Sequence, residues 1–580
     1  MSKFPSLFLV IFLFLISATP CFAVTEDFPM VYVEAFGAIG DGLVDDTNAV
    51  QAAIASGEGK VIAFHGEKTY SVGLLTIVHP LTIDGMGAKL IGNANAVFTV
   101  SNNLNYLHIR NFSRVTFSNT GTVACKDFFA NVSDNILGGY GRGLDIQPEA
   151  AATGVYPSKN VKDLRIENCQ LAYSRVYIGG ASTSATISDC KWVHDSSIQV
   201  SPAYLWVAIG DKNTRSGGIT IENNVFDCYP KTSGNQDIVK LEGGCTFGQI
   251  LGNTFKNNNI NSFAQVDVYW GGDRLRIIGN RFSNVQFHRK QTGLASVSME
   301  MDVCSLNDFF IPKHSLINSA CYLRGSRFLV NANTIKIENA TPSHKRAIFL
   351  DNEDYPYDAL YPNSFGTDGP CAFIISNNIM EFTASVTNSI GIEAQGAINS
   401  AEIGNGVISG NLLIGGTRFV SGTMAKIAQV GNAWVKASGY AGQSGSNIAN
   451  GIAIGNVADN PLVPFNGYSS GNVGKQIFQV ENLHTDSTTV ALNGTSNVLR
   501  IQGNKGMISK LTGGYGGQII HILSGASGPI IANSTATGSN GFFLNGSANF
   551  DMTTYGSSLT VIRDEDNKVW VELARSARFH

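Results

Sequence analysis

A pattern of apolar and polar positions recurs along the middle of the chain: Ile-x-x-Asn-x-(Phe/Leu/Ile). It reads IENNVF at 221–226, ILGNTF at 250–255, IIGNRF at 277–282, VNANTI at 330–335, IISNNI at 374–379 and ISGNLL at 408–413. Two earlier copies, IENCQL and ISDCKW, put Cys169 and Cys190 in the asparagine slot. Such a unit cannot bury its apolar face alone, so the copies must stack. The pattern predicts a β-solenoid with the Ile and Phe positions inside. Each slot asparagine takes a left-handed bend and bonds to its equivalents above and below. Asn224, Asn253, Asn280, Asn377 and Asn411 are the predicted equivalents.

The segment 32–54, YVEAFGAIGDGLVDDTNAVQAAI, precedes this array. Val31 and Val33 alternate with Tyr32 and Glu34, which predicts an edge strand. Gly37, Gly40 and Gly42 allow a tight turn. Asp45 or Asp46 then caps a helix that places Val50, Ala53 and Ile54 on one face. A short helix ahead of many strands reads as a plug over the open end of the stack. After about residue 475 the pattern changes to short alternating strands between glycine turns, such as TTVALNG, GQIIHILSG and KVWVEL. The predicted organisation is a signal peptide at 1–23, a cap and first coils at 24–100, a β-helix at 101–475 and a C-terminal β module at 476–580.

The run FGAIGDGLVDDTNAVQAAI at 36–54 resembles the opening motif of pectate-lyase-like, right-handed parallel β-helix proteins, a superfamily that includes polygalacturonases, pectate lyases and phage tailspike depolymerases. The ending, GQIIHIL through LTVIRDEDNKVWVELARS, is similar to terminal modules of phage tailspikes, which support trimer assembly. The resemblance implies an all-β, right-handed parallel β-helix, a polysaccharide substrate and a homotrimer. It carries over no active residue, because the central polygalacturonase blocks and the pectate-lyase arginine block are missing. Asp41, Asp45 and Asp46 within the motif read as turn and cap residues.

Composition narrows the function. Net charge is −4 and charged residues are 14%, so no basic face for nucleic acid is implied. Lys3 followed by the apolar run 7–16, with small residues around a cut after Ala23, predicts a secreted protein. Eight cysteines follow the leader: Cys125, Cys169, Cys190, Cys228, Cys245, Cys304, Cys321 and Cys371. Cys169 and Cys190 share a slot in neighbouring coils, close enough for a disulfide or for two buried thiols. His79, His194, His288 and His314 lack metal-ligand spacing, and the sequence implies no cofactor or metal.

Counting back from the asparagine slots aligns 237–242 with 265–270. Lys240 then stands over Asp267 and Glu242 over Tyr269 on the outer face, with Val239, Leu241, Val266 and Val268 inside. The alternation in ASVSMEMDV at 295–303 predicts a third such strand, with Glu300 and Asp302 outside. Tyr204 and Trp206 join the same face upstream. The predicted site has Glu242, Asp267, Glu300 and Asp302 as catalytic acids, and Tyr204, Trp206, Lys240 and Tyr269 as substrate-binding groups. Paired carboxylates suit glycoside hydrolysis, and aromatic faces stack on pyranose rings. A second acidic run, Asp351 to Asp354 followed by Tyr355 and Tyr357, reads as a turn or as a calcium or substrate loop. Three functions fit: a glycoside hydrolase acting on extracellular or capsular polysaccharide, a polysaccharide lyase using an outward Lys or Tyr as base, and a non-catalytic adhesin.

Overall fold

The computed structural model describes residues 29–576 apart from internal stretches, the longest being 132–158, 291–300, 352–371 and 436–447. Three long sheets run along the described chain, two of 16 strands and one of 12, and each coil adds one strand to each sheet through most of the stack. Their strands pair in parallel throughout, for instance Ile221 with Ile250 and Ile250 with Ile277. Parallel strands joined by crossovers take the right-handed sense. The chain is a right-handed parallel β-helix with an N-terminal capping helix and a C-terminal β module. No helix among the described residues is long and apolar enough to cross a membrane.

The cap forms as its sequence implies. Strand Met30–Tyr32 is the edge of the first sheet, paired with Val61–Ala63. Helix Thr47–Ser56 buries Val50, Ala53 and Ile54 completely. Asp46 accepts from the Ile39 N–H at 2.7 Å and the Gly40 N–H at 3.3 Å. Asp45 accepts from the Thr47 N–H at 3.0 Å, and Asp41 from the Leu43 and Val44 N–H groups at 2.8 and 2.9 Å. These acids hold the turn and the helix start.

The asparagine column is continuous. Asn224, Asn253, Asn280, Asn307, Asn333, Asn378, Asn411, Asn432 and Asn456 are buried. Each passes a side-chain bond to the next, as from Asn253 Nδ2 to Asn280 Oδ1 at 3.0 Å and from Asn280 Nδ2 to Asn307 Oδ1 at 3.0 Å. Two details differ from the sequence reading. The left-handed residue is the one before the slot, as at Asn223, Gly252, Gly279, Ala332, Asn377 and Gly410. The slot in IISNNI is therefore Asn378, and Asn377 supplies the bend. Cys190 continues the column upward by donating its N–H to Asn224 Oδ1 at 2.9 Å, and both Cys169 and Cys190 are buried free thiols.

Aromatic rings fill the lumen beside the column. Trp192, Phe226, Phe255, Phe282 and Phe309 stack coil on coil, with centroids 4.4–5.1 Å apart. The C-terminal module has a second apolar cluster around Leu499, Ile520, Val561 and Trp570. It keeps parallel pairing between Val498–Ile501 and Ile519–Ser524, then ends in an antiparallel hairpin of Ser558–Asp564 and Val569–Ser576.

Candidate functional site

The third sheet carries the candidate site. On its strands, side chains alternate between lumen and exterior. Val176, Leu205, Val239, Val266, Phe287, Cys321 and Ile348 form one inward row, and Val207, Leu241, Val268, Leu323 and Leu350 belong to another; all are buried in the core. Between these rows the outward positions align coil by coil as Tyr177, Trp206, Lys240, Asp267, His288, Tyr322, Phe349 and Glu393.

The middle of this row concentrates titratable groups. His288 Nδ1 lies 3.2 Å from Asp267 Oδ1. The imidazole ring meets the Tyr322 ring edge-on, with centroids 4.4 Å apart and an interplanar angle of 86°. The Tyr322 hydroxyl donates to the Asp351 carboxylate. One coil further, the Arg346 guanidinium lies 4.0 Å from the Phe349 ring centroid and pairs with Glu393. Gln265 Nε2 donates to Asp237 Oδ1 at 2.7 Å along the flank. Asp267, His288 and Asp351 are buried, whereas Lys240, Tyr322 and Glu393 are half-buried. Among the described residues neither ring nitrogen of His288 has a hydrogen-bond partner, so the approach of Nδ1 to Asp267 is an ion-pair contact, and both nitrogens are enclosed. The Asp267 carboxylate facing Nδ1 favours the ring tautomer that carries its proton there.

Several sequence expectations hold. Lys240 pairs with Asp267 in register, and Val239, Leu241, Val266 and Val268 are buried. Others are corrected. Asp302 is not on the outer face: it is buried within the lumen, and its Oδ2 accepts from Arg289 Nε at 2.7 Å. The strand after Phe263–Tyr269 in the third sheet is Gln286–Lys290, whereas Asp302–Ser305 joins the first sheet beside Leu275–Ile278. The alternation read at 295–303 therefore ends, at Asp302 and Val303, on a first-sheet strand and not on a third-sheet one. Tyr204 and Trp206 are fully buried, with Trp206 stacked on Tyr177 at 4.1 Å, so neither presents a free ring face to a sugar. Glu242 and Tyr269 lie on strands of this sheet, but their side chains are outside the description. Glu300, the acidic run after Asp351 and the leader lie outside the described residues.

His288, Tyr322 and Asp351 were legible only in part. QFHRK and SACYLR each place a polar or aromatic residue between inward positions, and CSLND supplies the missing slot Asn307. That slot locates the first-sheet strand Asp302–Ser305, but the long connection before it keeps the slot from giving the register of Gln286–Lys290.

No family model matches the chain. A 242-residue stretch, 39% of the chain, is 29% identical to a K30/K69-specific capsule depolymerase of Klebsiella phage K64-1 and covers 30% of it. A 90-residue stretch, 16% of the chain, is 37% identical to depolymerase 1, also K30/K69-specific, of Klebsiella phage K5-2 and covers 11% of it. The chain thus spans less than a third of the length of these curated relatives. Among solved structures it is similar to PfbA, a surface adhesin of Streptococcus pneumoniae, at 13% identity and a TM-score of 0.39, covering 73% of this chain and 92% of that one. It is also similar to tailspike protein 3 of bacteriophage CBA120, at 11% identity and a TM-score of 0.36, covering 95% of this chain and 70% of that one.

Proposed function

We propose that the chain is a polysaccharide depolymerase that lays an extracellular glycan along the outward row of the third sheet and cleaves it at Asp267, His288 and Tyr322. The observation that carries this reading is the run Asp267–His288–Tyr322–Asp351 on four successive coils. The stretch similar to capsule depolymerases supports the substrate class.

The groups in the row favour elimination from a uronate over hydrolysis. Asp267 and Asp351 are three coils and two strand positions apart, about 16 Å from strand spacing and rise. A hydrolase pair sits about 5–9.5 Å apart. In the elimination, His288 Nε2 takes the C5 proton beside the uronate carboxyl. The C4–O4 bond breaks, a C4=C5 double bond forms, and Tyr322 protonates the departing oxygen; Tyr322 then regains a proton from solvent and His288 releases the C5 proton to it. Lys240 neutralises the substrate carboxylate. Hydrolysis remains the second reading through Asp267 with Glu242 or Glu300, the carboxylates expected nearest it from the sequence.

The chain acts outside the cell as a homotrimer in this reading. An outward stripe on the first sheet supports self-association. Val303, Leu329, Ile374 and Val407 align there coil by coil and stay partly exposed, where the same row earlier carries Thr220, Gln249 and Arg276. Incubation with purified K30 and K69 capsular polysaccharide and with other uronate-containing glycans tests the function. New chain ends with unsaturated-product absorbance are expected. New reducing ends without that absorbance establish the hydrolase reading, and binding without new ends makes the protein a glycan-binding module.

A further inference from the structure

Arg289 is the anomaly of the β-helix lumen. It occupies the inward row of Val207, Leu241, Val268, Leu323 and Leu350, one residue from His288. Strand alternation sends the two side chains to opposite faces, His288 outward and Arg289 inward. Arg289 Nε donates to Asp302 Oδ2 at 2.7 Å. Asp302 Oδ1 accepts the Leu275 N–H at 3.1 Å, and Arg289 Nη1 lies 3.5 Å from the Val268 carbonyl. Both charged side chains are almost fully enclosed. Their surroundings are apolar, among them Leu275, Phe287, Leu323 and Phe328, with a void of about 10 Å³ alongside. In sequence, the pair brackets the connection 291–300.

Stability alone does not account for such a pair. Enclosing two charges costs as much as their attraction returns, and apolar replacements of similar volume are often neutral or stabilising. What the pair supplies is a fixed position. It ties the third-sheet strand Gln286–Lys290 to the first-sheet strand Asp302–Ser305 through the lumen, across the start and end of the connection. Holding Arg289 from several sides fixes the rotation of its strand, and with it the direction of the His288 ring.

We propose that Arg289 and Asp302 are positioning residues that clasp the strand behind His288 and hold its imidazole against Asp267. This rests on the reading of the outward row as the cleavage site. The test is the double variant Arg289→Met/Asp302→Leu, which keeps the volume and removes both charges. Its melting temperature is expected within a few degrees of wild type. Two readouts then separate positioning from packing. With ¹⁵N-histidine labelling, and with His288→Gln to assign the signal, wild-type His288 should show the Nδ1–H tautomer. The double variant should show a mixture. With K30 or K69 capsular polysaccharide as the probe, kcat should fall at least tenfold and KM should change less than twofold. Unchanged tautomer and kinetics at wild-type melting temperature overturn the proposal, and so does a large loss of melting temperature in the double variant, which would make the pair structural. The tautomer readout needs no turnover, so it tests the clasp even if neither polysaccharide is a substrate; absent cleavage by wild type counts only against the functional reading.

Discussion

Single residues hold this molecule in register, and their roles separate by substitution. Asn280 donates to the Ile250 carbonyl at 2.7 Å and to Asn307, and accepts from Asn253. Asn280→Ala strands several buried groups at about 1–3 kcal/mol each, so a urea melt should show a loss of several such increments. Asn377 bends at a φ of 56°, in the position where other coils place glycine. Asn377→Gly should stay within about 0.5 kcal/mol of wild type. Lys345 is a second test. Its amine is buried against the Ser315 and Ile317 carbonyls, and burial pushes its pKa down to about 8 from 10.5. Between those values the unfolded chain holds the proton that the folded chain has lost, so stability rises with pH across that window and levels off above it. Lys345→Met should remove that rise. An equal slope in both proteins would place the titration elsewhere.

At the scale of elements, the sequence is informative where the coil period is undisturbed. The asparagine slots, the inward valines of 237–242 and 265–270, and the helix in the cap follow from local pattern and turn chemistry. The site is less legible because its coils vary in length. The true third-sheet strand, Gln286–Lys290, lies before the connection 291–300, whereas the alternating pattern selects 295–303. Asp302 and its neighbours alternate as an outward acidic strand would, yet Asp302 turns inward because Arg289 offers an internal counter-charge. Local alternation carries no information about that partner, which lies 13 residues earlier. Asp302→Asn alone should therefore cost about 3–5 kcal/mol, since it leaves a buried guanidinium uncompensated; a loss under about 1 kcal/mol would contradict the internal pair.

The whole molecule combines a parallel β-helix, an outward row of titratable groups and a C-terminal module with its own apolar cluster. As a proposed trimer, it should lose assembly when truncated after residue 475, with light scattering reporting monomers. Trimers that persist in the truncated chain would assign assembly to the apolar stripe on the first sheet instead. The central claim concerns the row. It is tested most directly by comparing wild type, His288→Gln and Tyr322→Phe on one cleaved polysaccharide, with product formation and glycan binding measured in parallel. Turnover in both variants should fall by about two to four orders of magnitude, the usual range for a lost acid or base, while binding stays within a few-fold. Wild-type turnover in both variants would contradict the account and move the chemistry off the third sheet's outward row.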